Sequence, residues 1–153
     1  MLNADYKEML QSLVDAGVEF MLVGAYALAA HGYPRSTMDI DIWVKPSDNN
    51  AQAVMQALQA FGAPLMGLEK KDLLRDDTVF QIGVAPRRID LLTGLTGLKF
   101  DEVFARALEI QIENLRVRLP SIDDLIRNKK ATGRIQDLAD VEVLQRIQEK
   151  QAK

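Results

Sequence analysis

Apolar positions recur along this chain with two different periods, and together they predict alternating helices and strands. Spacings of three and four residues predict helices at the N-terminus, after Pro46-Ser47 and after Pro120-Ser121. Short apolar runs and strict alternation predict five strands, at 18–23, 39–44, 78–84, 88–92 and 110–119. Strands and helices alternate in the first half and a hairpin follows. We therefore expect an α/β (α+β) fold, in which a mixed β-sheet is flanked by helices.

Start and stop signals mark the ends of several elements. Asp5 followed by Glu8 predicts a capping box at the first helix, and Gly17 is placed to end that helix. Gly24 closes the first strand, and a brief helix is expected over 25–30.

Nothing in the composition indicates a linker, so one domain is expected over 1–153. Its core would span about 18–119, and two C-terminal helices at about 120–150 would pack beside the sheet.

Two carboxylates alternate with apolar residues on the strand predicted at 39–44. Residues i and i+2 of a strand point to the same side, so Asp39 and Asp41 stand together while Ile40 and Ile42 face the core. Adjacent carboxylates repel each other unless a proton or a metal lies between them, and their hard oxygens suit Mg²⁺ or Mn²⁺. On the pair alone, an exposed acidic edge is an equally good interpretation.

The context of this pair favours a site. A strand that ends at Gly24 before a short helix leaves free backbone N–H groups, which favour phosphate, and the carboxylate pair begins fifteen residues later. A third carboxylate, Asp90, lies in the strand-like run Arg88–Leu92. A simple ion pair of Asp90 with Arg87 or Arg88 is the alternative.

These motifs resemble the nucleotidyltransferase superfamily, whose fold includes DNA polymerase β. The likeness is greatest to the small bacterial AbiEii-like and MNT-like toxin–antitoxin nucleotidyltransferases. It covers about residues 18–92, and a trailing helical motif from Lys129 to Asp140 extends it less specifically. Ala25 stands where the family usually has a second Gly or Ser, so the backbone N–H is kept and a hydroxyl is missing.

The resemblance implies transfer of a nucleoside monophosphate from a nucleoside triphosphate, such as ATP, to an acceptor hydroxyl. The acceptor would be an RNA end, a protein side chain or a small molecule. Asp39, Asp41 and Asp90 would be the catalytic carboxylates and would hold Mg²⁺ (or Mn²⁺). The residues expected to bind the nucleotide phosphates are Gly24, Ala25, Arg35, Thr37 and Lys129.

Several of these residues also have structural interpretations. Lys129 lies on the apolar face of its predicted helix, where it either points toward phosphate or extends to solvent. Arg35 either reaches a phosphate or forms a surface ion pair. Trp43 either stacks on a base or packs internally, and His31, the only histidine, is interpreted as a capping or packing group.

Composition narrows the class of protein. The chain has no Cys, which excludes disulfides and thiolate zinc sites and is compatible with a cytoplasmic location. No apolar run approaches the roughly 20 residues of a membrane span. A net charge of −3 argues that any RNA contact is local.

The small size of the chain predicts a partner, either in a toxin–antitoxin pair or as a homodimer. Together with Ala25, it also supports an alternative function, in which the chain is a weakly active or inactive antitoxin or regulatory binding module.

Overall fold

The computed structural model describes residues 2–35, 39–84 and 87–152. Its strands are β1 (Phe20–Val23), β2 (Ile40–Val44), β3 (Val79–Ile82), β4 (Ile89–Leu92), β5 (Leu108–Ile112) and β6 (Leu115–Leu119). Its α-helices are α1 (Ala4–Asp15), α2 (Gly24–Ala30), α3 (Asp48–Phe61), α4 (Phe100–Ala105), α5 (Ile122–Thr132) and α6 (Ile135–Gln151), and a 3₁₀ helix spans Lys70–Leu74.

Four strands form a mixed sheet in the order β1-β2-β4-β3, and β5 and β6 form a separate antiparallel pair. Within the sheet β2 and β4 are parallel, whereas the pairs β1–β2 and β3–β4 are antiparallel. The register places Asp41 opposite Val23 on one side and opposite Asp90 on the other. The predicted mixed sheet flanked by helices is therefore confirmed.

Successive side chains of β2 point to opposite faces of the sheet, and each face packs against its own core cluster. Ile40, Ile42 and Val44 are fully buried in the larger cluster, which includes side chains of α1 and α3. Trp43 joins a second cluster with Met21, Val23, Phe100 and Val103. A third cluster joins α5 and α6 to α2 and β6. The carboxylate of Asp41 thus lies on a strand that is held from both faces of the sheet.

The helix ends agree with several of the predicted signals. Ser47 caps α3, which ends at Gly62 in the left-handed conformation, and Ser121 caps α5, which ends in the same way at Gly133. The predicted capping box at Asp5 and Glu8 is wrong. Asn3 caps α1, since its Oδ1 accepts a hydrogen bond from the Tyr6 N–H at 2.9 Å.

The single strand predicted at 110–119 is also wrong, because this segment belongs to the hairpin of β5 and β6. Glu113 occupies the turn with a φ of 54°. The segment predicted as irregular at 63–77 contains the 3₁₀ helix. The hairpin predicted between 78 and 92 is present, although Ala85 and Pro86 in its turn lie outside the described residues. No helix in the described ranges is long and apolar enough to cross a membrane.

Candidate active site

Three carboxylates meet where β2 and β4 begin. Asp39 directly precedes β2, Asp41 lies within it, and Asp90 is the register partner of Asp41 on β4. In parallel strands, residues in register project from the same face of the sheet, so Asp41 and Asp90 are direct neighbours. Asp90 is 7% exposed, which makes it one of the few buried acidic residues.

Arg88 links two of these carboxylates. Its guanidinium donates to both oxygens of Asp90, from Nε at 2.8 Å and from Nη2 at 3.2 Å. Nη2 also lies 3.6 Å from Oδ2 of Asp39, and the backbone N–H of Arg88 donates to Asp39 Oδ1 at 3.0 Å. The ion pair of Asp90 with Arg88, left open as an alternative, is present. The sequence indicated Arg88 only as one of two alternative partners of Asp90, and its contacts with Asp39 were not predicted.

Asp41 remains the least compensated of the three carboxylates. Its burial, the neighbouring charge and hydrogen bond of Asp90 and the charge of Asp39 together raise its pKa to about 6, against a smaller lowering by Arg88. Among residues 2–35, 39–84 and 87–152, no three His, Cys, Asp or Glu side chains are already arranged around one metal position. In this structure the charge of the cluster is compensated by the guanidinium of Arg88.

Gly24 brings the backbone against this cluster. It begins α2 with a φ of 65°, in the left-handed region that favours glycine. A Cβ at this position would overlap Oδ2 of Asp41 and would lie 3.0 Å from its Cγ. Glycine is therefore required here for two reasons, the backbone conformation and the close approach of Asp41.

A small cavity of about 110 Å³ adjoins the cluster. Gly24 and Asp41 line one part of it, and Asn128 and Lys129 of α5 line another. The structure thus brings together Gly24, Asp41 and Lys129, which lie far apart in the sequence. The volume of this cavity suits a phosphate-sized group. It is well below the roughly 300–1,000 Å³ of pockets that enclose whole ligands.

Asp140 of α6 organises the basic residues near this cavity. Its carboxylate is 3.1 Å from Nζ of Lys129 and accepts hydrogen bonds from Nη1 of Arg35 and from the Tyr33 hydroxyl, both at 3.0 Å. Burial raises the pKa of Asp140, but these three partners outweigh it and hold the pKa below its usual range. Arg35 therefore forms an ion pair here. Asp140 is a site residue whose position was not predicted, although it closes the trailing helical motif.

Lys129 is also held by Asp137, whose Oδ1 lies 3.3 Å from Nζ. Hydrogen bonds from Thr132 above all, and from Arg134 and Lys129, lower the pKa of Asp137 to about 2 despite its burial. The side chain of Lys129 is 21% exposed. Its ammonium is thus fixed between two carboxylates at the edge of the cavity.

The sequence matches a known protein family over almost its whole length. Residues 1–149 match the family described as "Nucleotidyltransferase of unknown function (DUF6036)". The chain belongs to this nucleotidyltransferase family. A search of curated proteins finds no match.

A solved structure shares the fold of this family member. It is the crystal structure of a candidate nucleotidyltransferase from Thermotoga maritima, with a TM-score of 0.55 and 12% sequence identity. The alignment covers 98% of this chain and 96% of the other. At this level of identity the likeness shows the nucleotidyltransferase fold alone, and it does not transfer a substrate.

The remaining candidate residues of this nucleotidyltransferase-family chain take the following places. Ala25 is the second residue of α2, and Thr37 lies outside the described residues. Trp43 is 1% exposed, and its ring packs edge-on against the ring of Phe100, with 5.2 Å between the ring centroids. This agrees with the interpretation that Trp43 packs internally. His31 is buried at the end of α2 and its Nε2 donates to the Pro120 carbonyl at 2.8 Å, so it packs α2 against the start of α5.

Replacing Gly24 by Ala is expected to destabilise the protein by about 2–3 kcal/mol, since backbone strain adds to displacement of the Asp41 side chain. Gly17→Ala is the matched control, because Gly17 has a similar φ of 73° and nothing within 4 Å of an added Cβ. The control should cost only about 1 kcal/mol. Urea denaturation of both variants measures the difference, and equal losses would show that Asp41 does not restrict position 24.

Proposed function

We propose that this chain transfers a nucleoside monophosphate from a nucleoside triphosphate to an acceptor hydroxyl, with Mg²⁺ or Mn²⁺ as the cofactor. The observation that carries the proposal is the pairing of Asp41 with Asp90 on parallel strands, against the backbone of Gly24 and across a cavity from Lys129. Membership of a nucleotidyltransferase family supports the reaction class.

The chemistry of the donor set suits a divalent cation, although among the described residues no three such side chains are arranged around one metal position in this structure. Asp39, Asp41 and Asp90 offer only carboxylate oxygens, the ligands that Mg²⁺ prefers. Burial, together with the charge and hydrogen bond of Asp90 and the charge of Asp39, raises the pKa of Asp41, so a cation beside this carboxyl would favour its ionised form. When bound, the ion would lower the pKa of the acceptor hydroxyl and neutralise the charge of the phosphates.

The protein's own groups would then position the reactants. The backbone N–H groups of Gly24 and Ala25 would face phosphate oxygens, and Lys129 would offer its ammonium from the opposite side of the cavity. Arg35 would approach the same phosphates, and Thr37, which lies outside the described residues, stays a predicted phosphate ligand. For Arg35 this requires release from Asp140.

The proton of the acceptor hydroxyl needs a base. Asp90 would take this proton as the general base. Asp41 and Asp90 project from the same face of the sheet, so their carboxylates would be direct neighbours where the proton is transferred.

The acceptor that we propose is an RNA end, a protein side chain or a small molecule, in a toxin–antitoxin context like that of the AbiEii-like and MNT-like proteins. The second candidate function is a weakly active or inactive regulatory module. It is favoured by the ion pairs of Arg88 with two of the three carboxylates and by the small volume of the cavity.

The test is transfer of label from nucleotides. The protein is incubated with each of ATP, GTP, CTP and UTP, labelled at the α- or the γ-phosphate, together with Mg²⁺ or Mn²⁺ and a cell extract that supplies RNA and protein. We expect metal-dependent transfer of the α-label with release of pyrophosphate. Transfer of the γ-label alone would contradict nucleotidyl transfer. Absence of transfer with thermal stabilisation by nucleotide would favour the regulatory module.

A further inference from the structure

The guanidinium of Arg88 occupies the oxygens that a divalent cation would need. It binds both oxygens of Asp90, and Nη2 lies 3.6 Å from Oδ2 of Asp39. Metal–oxygen distances in proteins are about 2.0–2.6 Å, so an ion and a guanidinium cannot occupy the same lone pairs. A cation that binds Asp39 and Asp90 together therefore competes with this side chain for the same oxygens.

The side chain of Arg88 is able to move without disturbing the strand. It is 32% exposed, whereas the side chain of its partner Asp90 is only 10% exposed. The backbone of Arg88 is held independently, because its carbonyl accepts from the Ile40 N–H at 3.0 Å and from the Tyr6 hydroxyl at 3.3 Å. Its N–H keeps Asp39 in place at 3.0 Å. Displacement of the guanidinium thus leaves these backbone contacts intact.

The geometry favours arginine over lysine at this position. A guanidinium presents several N–H donors in a planar fork, which here contact two carboxylates at once, whereas an ammonium is a single point charge. Lys129 does not compensate these carboxylates in the structure, because its ammonium is paired with Asp137 and Asp140.

We propose that Arg88 is the resident counter-ion of the acidic cluster and that divalent cations bind by displacing it, so that this residue sets the metal affinity of the site. The inference rests on the metal site of the proposed function. Arg88 keeps the carboxylates compensated in the absence of metal and lowers the fraction of molecules that are competent to bind it. The apparent affinity for a cation is reduced by that fraction.

The test measures binding of Mn²⁺ directly, from the loss of the electron paramagnetic resonance signal of the free ion. Arg88→Met keeps much of the aliphatic stem and removes the charge. We expect this variant to bind Mn²⁺ about tenfold more tightly than the unmodified protein, because the competing state is removed. Arg116→Met is the matched control, since Arg116 is 81% exposed on β6 and its carboxylate partner, Glu109, lies 3.8 Å away. The control should leave Mn²⁺ affinity unchanged.

Each outcome separates the two proposals. Equal or weaker Mn²⁺ binding by a folded Arg88→Met variant would overturn the role of Arg88 and leave the nucleotidyltransferase proposal standing. Absence of Mn²⁺ binding in both proteins would overturn the metal site, and with it both proposals. Should Arg88→Met fail to fold, Arg88→Lys takes its place, and it should bind Mn²⁺ more tightly than the unmodified protein. Unchanged affinity of that variant would overturn the inference.

Discussion

Replacing Asp140 by Ala is expected to lower the free energy of unfolding by about 2–4 kcal/mol, which would be a large part of the stability of a small domain. Asp140 is 2% exposed and is the common partner of Lys129, Arg35 and Tyr33. Its removal leaves two cations and a hydroxyl without this carboxylate. This loss is smaller than that expected for a fully buried ion pair. The side chains of Lys129 and Arg35 are 21% and 26% exposed, so water screens part of their interaction with Asp140.

Urea denaturation at neutral pH measures this loss. Glu142→Ala is the matched control, since Glu142 lies on the same helix and is exposed. It should change stability by less than about 0.5 kcal/mol. Asp140→Asn should fall between the two, because its amide oxygen still accepts a hydrogen bond but carries no charge. A loss below about 1 kcal/mol for Asp140→Ala would contradict the anchoring role.

Asp41→Asn is expected to reduce nucleotidyl transfer by at least about a hundredfold, since it removes a proposed metal ligand. The same change should stabilise the metal-free protein by about 1–3 kcal/mol above pH 6. The physical reason is that burial and the charges of Asp90 and Asp39 disfavour the ionised form of Asp41. Asparagine has no such charge.

The sign of the pH dependence follows from the raised pKa. The carboxyl of Asp41 titrates at about 6 in the folded protein, against an ordinary value of 3.8, so the folded state binds more protons between these values. Its stability therefore falls as the pH rises through this window. Asp41→Asn should lose this fall, so that the two proteins differ little below about pH 4 and most above about pH 6.

Urea denaturation at several pH values in the presence of a chelator checks this difference. Asp76→Asn, at an exposed position outside the cluster, is the control. With Mn²⁺ added, the unmodified protein should gain thermal stability and Asp41→Asn should not, because a ligand stabilises only a folded state that binds it. A variant that is less stable than the unmodified protein at pH 8 would show that Asp41 is ionised and well compensated.

Local features of this protein were determined by its sequence. Ser47 and Gly62 bound α3, and Ser121 and Gly133 bound α5, because caps depend on side chains and backbone angles within a few residues. The alternation around Asp41 likewise determines which residues of β2 face the core. The missed hairpin also has a local signal. Ile110 and Ile112 alternate in one phase, and Leu115, Val117 and Leu119 in the other, which places a turn between them.

Only the tertiary structure decided how these local features combine. The parallel register of β2 and β4 brings Asp41 to Asp90, which is 49 positions further along the chain. The packing of α6 brings Asp140 to Lys129 and to Arg35. Periodicity specifies which face of an element is buried, but it carries no information about which distant element covers that face. Register and helix packing depend on contacts between segments far apart in sequence, and these contacts determine which carboxylates share one site and which cations compensate them.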